Sequence, residues 1–244
     1  MSLYGKTCVV TGASSGIGHA LAAAFVRAGA EVWAVGRSRE RLDSIADDTG
    51  GGSGRSRPLV ADVEREDELE SACREILSSG ETLDVLVHSA GVISRGPVES
   101  ATDEELDSQY RVNLRTPFVL TRELLPALTR SRGQIVFMNG SPQGATPDAA
   151  MYAATKHGLR AFADSLRQEV NAKGVRVLTV YLGRTATPMQ EAVHEYEGRV
   201  YQPDSLMHPE DVAEIVLAAV SLRPAVEVTD LSVRPTANYP EVRR

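Results

Sequence analysis

Thr7-Cys8-Val9-Val10-Thr11-Gly12-Ala13-Ser14-Ser15-Gly16-Ile17-Gly18 decides the fold of this 244-residue chain. Its first five residues are short, apolar or β-branched, and read as a buried strand. Glycines at 12, 16 and 18 follow as a tight turn, and Gly16 to Ala28 continues with helical periodicity. Such a turn lets the backbone approach a ligand closely and aims amide N–H groups and a positive helix end at a pyrophosphate. An ordinary tight connection is the alternative. The strand-turn-helix context at the start of a βαβ unit favours the phosphate loop, with Gly12, Ser14, Ser15, Gly16, Ile17 and Gly18 at the ligand.

An acid at the end of the second strand would bind the ribose 2′-hydroxyl of NAD. This chain has Gly36-Arg37-Ser38-Arg39 there. Arg37 can pair with a 2′-phosphate that a carboxylate would repel, with Ser14 and Arg39 assisting, so NADP (NADPH) is favoured over NAD. A solvated helix entrance is the other reading of the two arginines.

Outward from the loop, β-branched runs alternate with amphipathic stretches. Strands are expected at Thr7 to Thr11, Glu31 to Val35, Pro58 to Ala61, Leu83 to His88, Gln134 to Met138, Val175 to Tyr181 and Val226 to Val233. Helices are expected at Gly16 to Ala28, Arg39 to Asp47, Glu66 to Leu77, Asp103 to Val112, Pro117 to Leu128, Tyr152 to Asn171 and Pro209 to Ser221. The helices are long enough to cross between parallel strands. The pattern predicts an α/β fold: a Rossmann-like doubly wound parallel sheet of about seven strands with helices on both faces, as one domain over residues 1–244. Thr49 to Ser56, rich in Gly and Ser, reads as a loop within that domain.

A formal charge of −7, from 33 acids and 26 bases, argues against a nucleic-acid partner held through phosphates. No run of about 18 apolar residues points to a membrane span, and the N-terminus lacks the apolar core of a signal peptide, so a cytoplasmic location is expected. Cys8 and Cys73 are expected to be reduced and buried. The five histidines show no ligand spacing, and no metal site is expected.

Tyr152-Ala153-Ala154-Thr155-Lys156 places a phenol and an ammonium on one helix face. With seven Tyr and three Lys, chance supplies only about 0.09 such pairs. A phenol has an ordinary pKa of about 10, and bringing it to about 7 needs roughly 4 kcal/mol of phenolate stabilisation. A unit charge at about 4 Å contributes on the order of 4 kcal/mol at an effective dielectric near 20. Acid/base catalysis is one reading of the pair, and a packed Tyr beside a solvated Lys is the other.

Together, the Gly-rich loop and the Tyr152 to Lys156 pair make the chain resemble the short-chain dehydrogenase/reductase family over nearly its whole length. The resemblance implies a hydride-transferring oxidoreductase acting on a small-molecule carbonyl or secondary alcohol, with Tyr152 as acid/base and Lys156 also holding the nicotinamide ribose. It implies that Asp62 and Val63 contact the adenine, although Asp62 as an N-cap for the Glu66 helix is compatible with that. Ser89-Ala90-Gly91 stands where relatives have Asn-Ala-Gly, and His88 before it reads as a packed residue. Asn113 matches the helix Asn of a proton path to Lys156; from the residues alone it is a kink or cap. Leu182-Gly183-Arg184-Thr185-Ala186-Thr187 resembles the segment that holds the nicotinamide, with the Ala186 backbone and Thr187 hydroxyl at the carboxamide.

The family's catalytic Ser has two alignments here. Counting from the strand gives Gly140, and counting back from Gly144 gives Ser141; only a hydroxyl can donate to the substrate carbonyl, which favours Ser141. Val92 to Val98, Pro142 to Met151 and a lid at 187–207 are expected to wall the substrate site. In relatives, the Pro117 to Leu128 and Tyr152 to Asn171 helices pair across two-fold axes, so a homodimer or homotetramer is expected; the stripe Leu159, Phe162, Leu166 is core or interface. A nucleotide-binding or sensor protein without turnover is the alternative function. Gly140, Ser89 and Leu182 speak for it, and Tyr152, Lys156 and Ser141 against it. A dehalogenase-like lyase ranks last, because that variant replaces the Lys and loses the Gly-rich loop.

Overall fold

A computed structural model describes residues 1–49, 53–80, 82–140 and 147–236. Its strands are β1 Thr7–Thr11, β2 Glu31–Gly36, β3 Arg55–Val60, β4 Val85–His88, β5 Gln134–Gly140, β6 Arg176–Leu182 and β7 Asp230–Val233. They form one parallel sheet in the order β3-β2-β1-β4-β5-β6-β7. The chain runs outward from β1 to β3, then returns to the centre and runs the other way from β4 to β7. The two directions part between β1 and β4, where a doubly wound sheet leaves a crevice at the strands' carboxyl ends.

The connecting helices are α1 Gly16–Arg27, α2 Arg39–Asp43, α3 Glu66–Ser78, α4 Asp103–Tyr110, α5 Thr116–Ser131, α6 Ala150–Val170, α7 Pro188–Tyr196 and α8 Pro209–Val220. Strand residues alternate between two cores, because successive side chains leave opposite faces of a sheet. Cys8, Val10, Val85 and Val87 face Leu21 and Phe25 of α1 and Val212 and Val216 of α8. Val9, Leu86, Ile135 and Phe137 face α3, α5 and α6, where Leu69, Leu124 and Leu159 are almost wholly buried. The two cysteines are free and buried.

Several boundaries differ from the sequence expectation. β3 starts at Arg55 rather than Pro58, and the edge position explains it: a proline and polar residues are tolerated where one side of the strand lacks a partner. β7, the other edge, is confined to Asp230–Val233. The helix expected to run to Val112 ends at Tyr110 and passes into a π-helical stretch, Arg111–Arg115, that joins α4 to α5. The connection after β6 contains a helix of its own, α7. Leu159 and Leu166 of the α6 stripe are 1% and 5% exposed, and Phe162 packs edge-on to Phe137 and Phe118, so the stripe belongs to the core. The N-cap of α3 is Arg65, not Asp62, which instead accepts a turn hydrogen bond from Glu64 N.

Candidate active site

A cavity of about 490 Å³ lies along the carboxyl ends of the strands, within the size range of small-molecule and cofactor sites. One wall is the Gly-rich turn. Gly12 has φ +70°, and a Cβ there would come within 2.8 Å of Ala90 Cα; at Gly18 it would lie 2.3 Å from Gly12 O. Only bare backbone allows the β1 turn to lie against the loop after β4. The Thr11 hydroxyl fixes that approach by donating to Val87 O and accepting from the N–H groups of Ser89 and Ala90. Sequence reasoning missed this anchor, although Thr11 begins the motif.

Helix α1 starts behind Ser15 with no side-chain cap and no acid in its first turn. Its N-terminal amides, with Ser14, Ser15, Gly16, Ile17 and Gly18, meet the cavity. That donor set fits a pyrophosphate. Arg37 is exposed and lines the cavity with Asp62, Val63, Ser89, Ala90 and Gly91. Arg39 does not join it; its guanidinium is held by Asp43. Ser14 Oγ accepts from Ser38 N, and the absence of a Cβ at Gly36 gives it room.

Tyr152 and Lys156 meet at the inner wall, as the helical spacing predicted. The Lys156 ammonium lies 5.8 Å from the Tyr152 ring centroid and donates to Met138 O at 3.2 Å. Burial pushes the phenol up to about 12 and the ammonium down to about 8. The charge arithmetic predicted a falling phenol. In this pocket the cost of desolvating the phenolate outweighs the ammonium, which sits over the ring and hydrogen-bonds a carbonyl.

Asn113 lies in the π-helical stretch, 1% exposed, and does not line the cavity. Its Oδ1 accepts from Val92 N, and its Nδ2 donates to Val92 O and Thr155 Oγ1. The side chain therefore clamps the loop after β4 to α6 beside Lys156. Asn139, not foreseen, donates to Lys156 O at 3.1 Å. His88 is packed as expected: it stacks on Phe137 at 4.9 Å, pairs with Thr121 at 2.9 Å, and burial lowers it to about 3.

Gly140 ends β5, and a Cβ there would stand 3.4 Å from the Tyr152 hydroxyl oxygen. Among the described residues, the strand count therefore has a position beside the phenol. Ser141 lies outside the described residues, as do 142–146 of the expected substrate wall.

After β6, Gly183 and Thr187 line the cavity. Thr187 caps α7 by accepting from Gln190 N. Ala186 departs from expectation. It does not line the cavity, and its N–H already donates to Met207 O at 2.7 Å because Thr185 and Met207 pair as a short parallel bridge. Met189 and Val193 of α7 line the cavity, Met189 while still partly open to solvent, whereas Tyr196 and Val200 are exposed and do not line it.

The sequence model of the family described as "short chain dehydrogenase" matches residues 6–198. Among curated proteins, the chain is 30% identical over 227 residues to a 3-oxoacyl-[acyl-carrier-protein] reductase of Thermotoga maritima, covering 91% of this chain and 92% of that one. Among solved structures it is similar to a metagenomic short-chain oxidoreductase in complex with NADP, at TM-score 0.83 and 28% identity over 97% of this chain and 100% of that one. It is also similar to an alcohol dehydrogenase from the archaeon Thermococcus sibiricus complexed with 5-hydroxy-NADP, at TM-score 0.86 and 26% identity over 97% and 99% of the two chains.

Proposed function

Because the chain belongs to the short-chain dehydrogenase/reductase family, as an NAD(P)-dependent oxidoreductase, we propose that it is an NADP-dependent carbonyl reductase, or secondary-alcohol dehydrogenase in reverse, with Tyr152 as the proton donor and acceptor. The carrying observation is the half-buried Tyr152 to Lys156 pair at the inner wall of a cavity whose other wall is an uncapped Gly-rich turn.

The turn's amides, Arg37 and Lys156 are the groups that would hold the dinucleotide, and when bound it exchanges hydride with the substrate carbon. The remaining chemistry belongs to the chain. A phenol held protonated up to about pH 12 is a ready donor to a carbonyl oxygen at neutral pH. Taking the proton back, for oxidation, requires positive charge beside the phenolate, and Lys156 carries it below about pH 8. Ser141 is the hydroxyl that would donate to the carbonyl oxygen. Arg37, in the place of an acid, supports the 2′-phosphate and hence NADPH, and α7 with the chain to Met207 acts as lid over the substrate.

Oxidation of NADPH and of NADH, followed by absorbance over a panel of ketones and aldehydes, tests enzyme, cofactor and substrate together. Tyr152→Phe should abolish turnover while NADPH still binds. Substantial residual turnover would remove Tyr152 from the acid/base role.

A further inference from the structure

This inference rests on the oxidoreductase reading and narrows its substrate. Arg95, in the loop after β4, lines the cavity with its side chain 16% exposed. Among the described residues, the only acid within 4.0 Å of it is Glu197, just beyond α7, at 3.5 Å. That is an ion-pair distance, too long for a good charged hydrogen bond. Glu197 is otherwise engaged. Arg184 Nη2 donates to both its oxygens at 2.8 Å, and Arg199 Nε lies 3.5 Å from one of them.

Three guanidiniums thus crowd one carboxylate. Among the described residues the buried Nε of Arg95 has no hydrogen-bond partner, and its charge rests 5.4 Å from the Tyr196 ring. A partly buried guanidinium with an idle donor is costly unless an anion arrives to meet it. The loop is also anchored close to the chemistry: Gly96 N donates to Asp148 O, four residues before Tyr152, and Ser94 N donates to the buried Gln109. The other acids lining the cavity, Asp62 and Glu64, follow β3 at the Arg37 end.

We propose that the substrate is an anionic carbonyl or hydroxy compound whose carboxylate or phosphate is received by Arg95. The planar fork of arginine suits either group. Glu197 holds the arginine in place through the lid segment and competes with the incoming anion for it, which gives the two residues opposite expected effects.

The test is equilibrium binding, which does not depend on turnover. The protein–NADP complex is titrated calorimetrically with 4-oxopentanoate against its methyl ester, and with dihydroxyacetone phosphate against dihydroxyacetone. At least one anion should bind roughly ten- to a hundredfold tighter than its neutral partner, the range of a charged hydrogen bond. The pair with the larger ratio identifies carboxylate or phosphate. Arg95→Gln should bring that ratio close to one, and Glu197→Gln should raise it. An arginine that only braces the lid predicts no anion preference, or a preference that survives in Arg95→Gln; either result overturns the proposal. Should Arg95→Gln fail to fold, a Glu197→Gln ratio equal to or below that of the unsubstituted protein overturns it. Failure of the oxidoreductase reading appears separately, as no turnover of any carbonyl with either cofactor.

Discussion

Lys156→Met should make the protein more stable at neutral pH and inactive. Burial lowers the lysine from its ordinary 10.5 to about 8, so the folded state gives up its proton more readily than the unfolded chain. Below about pH 8 both states carry the proton, and the folded state bears the full cost of a desolvated ammonium. That cost is at most about 3 kcal/mol. Between pH 8 and 10.5 the unfolded chain holds more protons, so this group's contribution to stability rises with pH, and above 10.5 the cost is gone. Replacing the lysine also removes its hydrogen bond to Met138 O, a loss of about 1–2 kcal/mol. The variant should therefore lead by about 1–2 kcal/mol at pH 7, roughly 2–8 °C in Tm for a chain of this size, and trail by a similar amount above pH 10.5. Below about pH 9 Tyr152 is protonated in the folded and unfolded states of both proteins and cancels from the difference. Urea unfolding of the cofactor-free pair at several pH values measures the gap. A gap that does not depend on pH would refute the reasoning, because the buried charge would then not be its source.

Arg37→Ala should weaken NADPH by about tenfold or more and leave NADH nearly untouched, read by fluorescence titration; equal losses would refute the 2′-phosphate argument. Ser141→Ala should lower kcat by about a hundredfold or more. Adding Gly140→Ser to that variant should return part of the loss, since position 140 is the one seen beside the Tyr152 hydroxyl; no loss in the first variant removes Ser141 from the site. Gly18→Ala should cost about 1–3 kcal/mol in urea unfolding and sharply weaken cofactor binding, because its methyl would strike the Gly12 carbonyl at 2.3 Å, and an unchanged Kd would show that the turn can yield.

The fold was legible because continuous apolar runs and one helical periodicity did most of the specification. β1, β4 and β5 are short apolar runs buried on both faces, the 3.6-residue pattern of α3 and α6 buries one face of each helix, and the glycines at 12, 16 and 18 announce the turn after β1. Edges were less legible: β3 and β7 bury less, so their ends carry little apolar signal. At the site, residues within one motif were found by spacing, as Tyr152 and Lys156 were. The contacts of Thr11, Asn139 and Arg95 join segments far apart in sequence, and no local pattern encodes them. The electrostatic sign at Tyr152 was misjudged for a related reason. Spacing gives the distance between two groups, but the cost of burial depends on everything packed around them.

The π-helical stretch at Arg111–Arg115 has a consequence for chain length. A π turn holds one residue more than an α turn, so α4 and α5 together behave like a single helix with an insertion. The Asn113 amide reaches both Val92 and Thr155 from inside that insertion. Deleting any one residue between 111 and 115 would let a regular helix close with α4 still nearly in register with α5, and would remove the wide turn from which Asn113 reaches its partners. Asn113 is thus placed by a count of residues as much as by its identity, and a scan of substitutions alone would leave that dependence unseen.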